Sequence, residues 1–309
     1  MNEWEFIKLL NKDNISEIEL SIGDDCAIIK KGNDYLLLTK DLITEGTHFE
    51  LKNTPIEYIG EKLADSNISD IIAMGGIPKY ALLGIVFPKG KEIQYEKLID
   101  GIKNRLNLYS TSIIGGDTVS GKNLSLSMTI IGEGKRYITR GGAETGDKIL
   151  ISGKLGYSRA GLNEFLTSGK IANKMAFEKY FRPRCRFDLL PIINKTKINS
   201  MTDISDGFIQ DLSHILVSSG KGGEIYLDNF PVDDYLVKAA ENEKIDLYDF
   251  ILNSGEEYEL ILTVSEKESL ELNKQGFMEV GEITDKKQSV YYYKGKEKKV
   301  KNLSYTHSF

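Results

Sequence analysis

Thr111-Ser112-Ile113-Ile114-Gly115-Gly116-Asp117-Thr118 is the stretch on which the fold turns. Its β-branched start, Thr111 to Ile114, predicts a strand, and two glycines and an aspartate end the apolar run. The same shape recurs twice: Asp41 follows Leu36-Leu37-Leu38-Thr39-Lys40, and Asp203 closes Ser200-Met201-Thr202. Ligands of open α/β sheets bind beyond the carboxyl ends of the strands, so three such aspartates predict one acidic crevice. Carboxylates gathered there repel one another and call for a cation. Mg²⁺ suits them, because it takes oxygen ligands and is usually shared with phosphate groups.

Working outward, Pro55 opens a helical pattern to about Met74, with Ile59, Leu63 and Ile71 on its apolar side and a stop at Gly75-Gly76-Ile77-Pro78. The unbroken apolar run Tyr80 to Phe87 predicts a buried strand, and Ile93, Leu98, Ile102 and Leu106 a helix from Glu92 to Tyr109. Further strands are expected at Ala27 to Lys30, Tyr35 to Leu42 and Leu124 to Gly132, and a short helix around Trp4, Ile7 and Leu10. Lys135 to Asp147 is rich in glycine and charge and has little periodicity, which predicts two domains, 1–137 and 138–309. The second half restarts with strand Lys148 to Ser152, a Gly153–Gly156 turn and a helix from Tyr157 to Thr167. Strand Ser200 to Asp203, helix Gly207 to Ser218 and strands at Glu224 to Leu227, Glu259 to Val264 and Glu279 to Ile283 follow. This alternation predicts an α/β (α+β) protein of two domains.

The 309 residues carry a formal net charge of −6, which argues against nonspecific nucleic-acid binding, since that needs a basic face. Lys294 to Lys301 reads as a solvated strand edge or turn. No apolar run approaches the roughly 18 residues that span a bilayer, and Met1-Asn2-Glu3-Trp4-Glu5 has no signal-peptide pattern, so the expected compartment is the cytoplasm. Cys26 and Cys185 are too few and too far apart for a disulfide framework or a zinc signature.

Among single residues, Asp25 follows Gly23-Asp24, and Asp70 lies five positions after Asp65, a spacing that puts the two on different helix faces with one pointing inward. Asp24, Asp65 and Asp211 read as structural. Gly116 and the Gly153–Gly156 turn suit either a tight turn or the close approach of backbone N–H groups to phosphate. The nearest approach to a P-loop, Gly84 to Gly90-Lys91, is one residue too long and has Glu92 where Ser or Thr belongs. His214 falls in a helical stretch as a packing or surface residue. His48, just after the Asp41 strand, is either an anion ligand or a loop hydrogen bond. Arg140 can fork onto polyphosphate oxygens or pin the domains together, and Glu256 and Glu257 are substrate-recognising or merely solvated.

Taken in order, Ile22-Gly23-Asp24-Asp25-Cys26-Ala27, Asp41 to Phe49, Ser69-Asp70 to Gly76, Ile114 to Thr118, Arg140 to Asp147, Asp203-Ile204-Ser205-Asp206-Gly207 and Ser254 to Leu260 resemble the thiamine-monophosphate kinase family. That family lies in the superfamily that includes aminoimidazole ribonucleotide synthetase. The resemblance implies ATP-dependent phosphorylation of thiamine monophosphate with several Mg²⁺ ions. It implies metal ligands at Asp25, Thr39, Lys40, Asp41, Asp70, Asp117, Asp203 and Asp206. It implies ATP contacts at Gly116, Asp117, Arg140 and Ser205, and substrate contacts at His48, Glu256 and Phe309. It further implies a homodimer paired through a mixed amino-terminal sheet, with a sandwich-like α/β carboxyl-terminal domain completing the active site.

Two positions depart from the family pattern. Lys40 stands where Ser or Thr is usual, so a hydroxyl is lost, and His307 is followed by Ser308 before Phe309, displacing the terminal aromatic. Rival expectations are a different enzyme of the superfamily and a nucleotide-binding regulator without turnover. A selenophosphate synthetase is disfavoured, because no cysteine precedes Cys26.

Overall fold

The computed structural model describes residues 18–303; the helix expected around Trp4 and the terminal Phe309 lie outside them. The described chain forms two compact units, residues 18–137 with 181–190, and residues 138–180 with 191–303.

The first unit is built on a mixed sheet of β1 (Ile18–Leu20), β2 (Ala27–Lys31), β3 (Asp34–Thr44), β4 (Ile77–Pro88), β5 (Ser112–Gly121) and β6 (Ser125–Gly134). The strand order is β1-β2-β3-β6-β4-β5. Only β4 and β5 run parallel, and the Tyr95–Leu108 helix makes the crossover between them. The Ile56–Ala73 helix packs on β3, β6 and β4 and against the Tyr95–Leu108 helix. The two helices cross closely because Gly60 and Gly101 have no side chains; a Cβ at Gly101 would overlap the Glu57 backbone.

Helices cover one sheet face only, so the strands alternate. On β3 Leu37, Thr39 and Ile43 are buried while Lys40 and Leu42 are exposed. On β4 Ala81, Leu83 and Ile85 are buried, but Tyr80 and Leu82 are 45% and 40% exposed. The expectation of a fully buried strand from Tyr80 to Phe87 is thereby corrected: its apolar run serves two faces, and the outer one is bare in the single chain. A second correction concerns strand ends. β3 continues past Asp41 to Thr44 and β5 past Asp117 to Gly121, leaving both aspartates inside strands. Pairing with the long β6 and β4 extends these strands beyond where their apolar runs stop.

The Ile56–Ala73 helix also carries a buried ionic cluster. Arg105 pairs with Asp65 at 3.0 Å and with Glu61, and Tyr109 donates to Asp65. The 181–190 segment is held to the same group, since Arg182 forks onto Glu61 at 2.7 and 2.8 Å and the Cys185 N–H donates to Asp65 Oδ1 at 3.1 Å. Complete burial outweighs the pull of Arg105 and pushes the Asp65 carboxyl up to about 6. Asp65 is therefore structural, as the sequence suggests, but it does not leave a single inward aspartate: Asp65 serves the Arg105 side of its helix and Asp70 the sheet side.

The second unit has strands β7 (Lys148–Ile151), β8 (Ser200–Asp203), β9 (Gly222–Tyr226), β10 (Leu260–Val264), β11 (Met278–Thr284), β12 (Ser289–Tyr293) and β13 (Lys296–Glu297), in the order β13-β12-β9-β11-β7-β10-β8. All pairs are antiparallel except β9 with β12. Ile149, Ile151, Phe208, Ile215, Phe250 and Ile261 belong to its core, where the Phe208–Ser219 and Leu247–Leu252 helices meet the sheet. Within the lysine-rich stretch, Lys296 and Glu297 form the β13 edge. No helix among the described residues is long and apolar enough to cross a membrane.

Candidate active site

The acidic group of the first unit forms where a turn meets a helix end. The Cys26 N–H lies 3.0 Å from Met74 Sδ, and Cys26 Sγ donates to the Asp70 carbonyl at 3.5 Å, docking the turn before β2 onto the end of the Ile56–Ala73 helix. Carboxylate oxygens of Asp25 and Asp70 consequently come within 4.8 Å of each other. Thr39 Oγ1 donates to Asp70 Oδ2 from the covered face of β3. Asp41 shares that face by strand parity, and its N–H donates to Asn67 Oδ1 at 2.9 Å. Two carboxylates, a hydroxyl and a nearby third carboxylate are the hard, oxygen-only donors that Mg²⁺ takes.

Lys40 and Asp117 stand apart from this group. Lys40 Nζ donates to Ser127 Oγ at 2.6 Å on the open face of the sheet, so its side chain is not a partner of Asp70. Asp117 is paired in register with Gly84 and, with Leu42, Val86, Val119 and Ser127, lines a shallow hollow on that same open face. Its Oδ1 accepts from the Thr118 N–H at 2.8 Å. Gly116 has a steric reason to be glycine, since a Cβ there would overlap the Leu83 carbonyl oxygen. The single crevice expected for Asp41 and Asp117 is thus corrected within this unit: residues of opposite parity face opposite sides of one sheet.

His48 closes the turn that follows β3. The Thr44 N–H donates to its Nδ1 at 3.2 Å, and the His48 N–H donates back to the Thr44 carbonyl at 3.0 Å. An accepting Nδ1 puts the proton of the neutral ring on Nε2.

In the second unit Asp203 ends β8, buried to 2% exposure and paired in register with Leu260. The Ser254–Glu259 loop is laid along the residues that follow. Glu256 N–H donates to the Ser205 carbonyl at 2.7 Å, Tyr258 N–H to the Ile204 carbonyl at 2.9 Å, and Ile204 N–H to the Glu259 carbonyl at 2.7 Å. The proposed substrate residue Glu256 is therefore adjacent to Ser205 and Asp206. Arg140 enters from the segment before β7, with Nε 3.3 Å from Thr202 Oγ1.

Asp211 and His214 also belong to this neighbourhood, though neither was expected there. Asp211 Oδ2 accepts the N–H groups of Ser205, Asp206 and Gly207 at 3.0 to 3.1 Å, which shapes the turn. Ligand atoms of Asp206, Asp211 and His214 lie within 4.8 Å of one another. Burial, with Asp206 and Asp203 nearby, pushes the Asp211 carboxyl well above the usual range, while burial and Arg140 lower His214 to about 4. Their spacing of three residues on one helix is the sequence signal that could have paired them.

Comparison with known proteins places this geometry in a family. Residues 23–133 match the model of the AIR synthase related protein N-terminal domain, and residues 144–294 that of its C-terminal domain. The thiamine-monophosphate kinase of Buchnera aphidicola subsp. Schizaphis graminum is 39% identical, with 88% of this chain and 86% of that protein covered. That of Aquifex aeolicus is 33% identical, covering 85% and 86%. The solved structure of AaThiL complexed with AMPPCP and TMP superimposes with a TM-score of 0.88 at 31% identity, over 99% of this chain and 97% of that one. Two domain matches in order and relatives above the 30% level over most of their length place the chain in the thiamine-monophosphate kinase family of AIR synthase related proteins.

Proposed function

We propose that the chain transfers the γ-phosphoryl group of ATP to the phosphate of thiamine monophosphate, forming thiamine diphosphate and ADP. The observation that carries this is the likeness, over nearly its whole length, to AaThiL complexed with AMPPCP and TMP. In this reading Gly116, Asp117, Arg140 and Ser205 contact ATP, and His48, Glu256 and Phe309 contact thiamine monophosphate.

The acceptor explains the residues. A phosphomonoester loses its second proton near pH 6, so at neutral pH the attacking oxygen is already anionic and no general base is needed. His214, held down at about 4, is too weak a base for that role in any case. The work is alignment of two anions and relief of their repulsion. His48 donates to one from Nε2, and Arg140 offers the planar fork that suits polyphosphate.

Asp25, Asp41 and Asp70 with Thr39, and Asp203 and Asp206 in the other unit, are the residues that would hold Mg²⁺; Asp117 serves from the open sheet face, and Lys40 at most through its backbone. When bound, the ions supply charge neutralisation on the phosphate oxygens. The homodimer is supported by the bare face of the first sheet, where Leu42, Tyr80, Leu82, Ile114 and Val119 are exposed together. Residues 1–137 would then carry dimerisation and much of the ATP and Mg²⁺ binding, and residues 138–309 would complete the site. The cytoplasm is the compartment this activity suits.

Incubation of the purified chain with ATP, Mg²⁺ and thiamine monophosphate should yield thiamine diphosphate and ADP by chromatography. Tight ATP binding without any thiamine diphosphate would overturn the assignment in favour of a regulator.

A further inference from the structure

Glu257 sits between two residues in left-handed backbone, Glu256 at φ +55° and Tyr258 at φ +50°. Each costs on the order of 1 kcal/mol for a residue with a side chain, so something must hold the loop. Glu257 is the buried centre of a polar network, in which its Oε1 is hydrogen-bonded and its Oε2 is buried without a hydrogen bond. Its Oε1 accepts from the Gly156 N–H at 2.8 Å, the Ser158 N–H at 3.1 Å and Ser254 Oγ at 2.6 Å. Lys179 Nζ lies 3.8 Å from its Oε2 and donates to its carbonyl and to Glu259 Oε1, both at 2.7 Å. Glu259 Oε2 in turn accepts from Ser152 Oγ at 2.6 Å. One end of the loop is thereby fastened to the start of the Tyr157–Ser168 helix, and the other to the end of β7.

Glu257 is fully buried, so it cannot itself reach a ligand. We infer that Glu257, through Ser254 and Lys179, is a positioning residue that holds Glu256 beside Ser205 in the orientation that receives thiamine monophosphate. This rests on the proposed function for Glu256, but the loop restraint does not. Three donors converge on one carboxylate oxygen, and a helix start favours negative charge there. A neutral amide would present N–H to the Lys179 ammonium and weaken that hold.

The test is Glu257→Gln, with Ser254→Ala as a milder variant should the first fail to fold. Losing a charge-assisted hold corresponds to about a tenfold effect. KM for thiamine monophosphate should rise about tenfold, with kcat and KM for ATP within about twofold of the parent and an unchanged circular dichroism spectrum. Hydrogen exchange at the Glu256 and Tyr258 amides, measured without substrate, should speed up by a similar factor. In a folded variant, unchanged exchange and unchanged KM for thiamine monophosphate would refute the inference. A parallel rise in both KM values with a general loss of exchange protection would reduce Glu257 to a merely structural residue and refute it too. If the parent forms no thiamine diphosphate, the functional assignment fails, while the exchange arm still decides whether Glu257 restrains the loop.

Discussion

Arg105→Met should cost the first unit about 3–5 kcal/mol at pH 8, the usual penalty for removing one partner of a buried ion pair. Methionine replaces much of the buried stem, so the loss is mainly electrostatic. Glu61 keeps both bonds from Arg182, but Asp65 loses the Arg105 guanidinium and retains Tyr109 and the Cys185 N–H. The pH dependence follows from Asp65, whose folded value of about 6 stands above the ordinary carboxylate value. A carboxyl raised by folding contributes stability that is full below its unfolded value and is lost as pH rises through the folded one. In the parent that loss falls between about pH 4 and pH 6. Without Arg105 the carboxyl rises further, and at pH 5 the variant escapes the penalty by holding Asp65 neutral, so the deficit there should be under about 2 kcal/mol. Urea unfolding of parent and variant at pH 5 and pH 8, followed by far-ultraviolet circular dichroism, measures both numbers, and the pH 8 melting shift should be on the order of 10 °C. A deficit below about 1 kcal/mol at pH 8, or equal deficits at the two pH values, would refute the reasoning.

Mg²⁺ should raise the melting temperature of the parent, and Asp70→Asn should abolish that rise and lower kcat on the order of 10²-fold; an Mg²⁺-dependent shift of parental size in the variant would count against the Asp25–Asp70 pair as a cation site. If the proposed homodimer pairs through the bare sheet face, the parent should sediment as a dimer and Leu82→Glu, which puts a charge in that face, as a monomer; a monomeric parent or an unaltered dimer would overturn that pairing. Gly116→Ala forces a Cβ onto the Leu83 carbonyl and should lose about 1–3 kcal/mol in thermal or urea unfolding; a variant as stable as the parent would leave Gly116 without a packing role.

Much of the element pattern was legible. The helix from Pro55, the helix before Tyr109, and the strands at Ser200–Asp203 and Leu260–Val264 stand within a few residues of their expected bounds, because apolar periodicity and glycine stops are local signals. The candidate site was legible mainly as motifs. Asp25 and Asp70 do come together, yet they are 45 positions apart, and it is the docking of Cys26 on Met74 that joins them. Asp211 and His214 read apart in the sequence, as a structural aspartate and a packing or surface histidine, because a single aspartate on a helix is ordinarily a cap and a single histidine ordinarily a packing residue; only the fold pairs them beside Asp206. The hold of Glu257 on the loop was invisible, since it depends on a lysine 78 positions away.

What the chain determined by itself was its alternation of strands and helices, its oxygen-rich chemistry and its family, all carried by residue type, order and short spacing. Tertiary structure decided which side each residue serves. Strand length depends on the neighbour that pairs with it, so Asp41 and Asp117 lie inside strands instead of at their ends. Face depends on parity along a strand and on where helices cover the sheet, so Thr39 meets Asp70 while Lys40, one residue on, meets Ser127 on the other side.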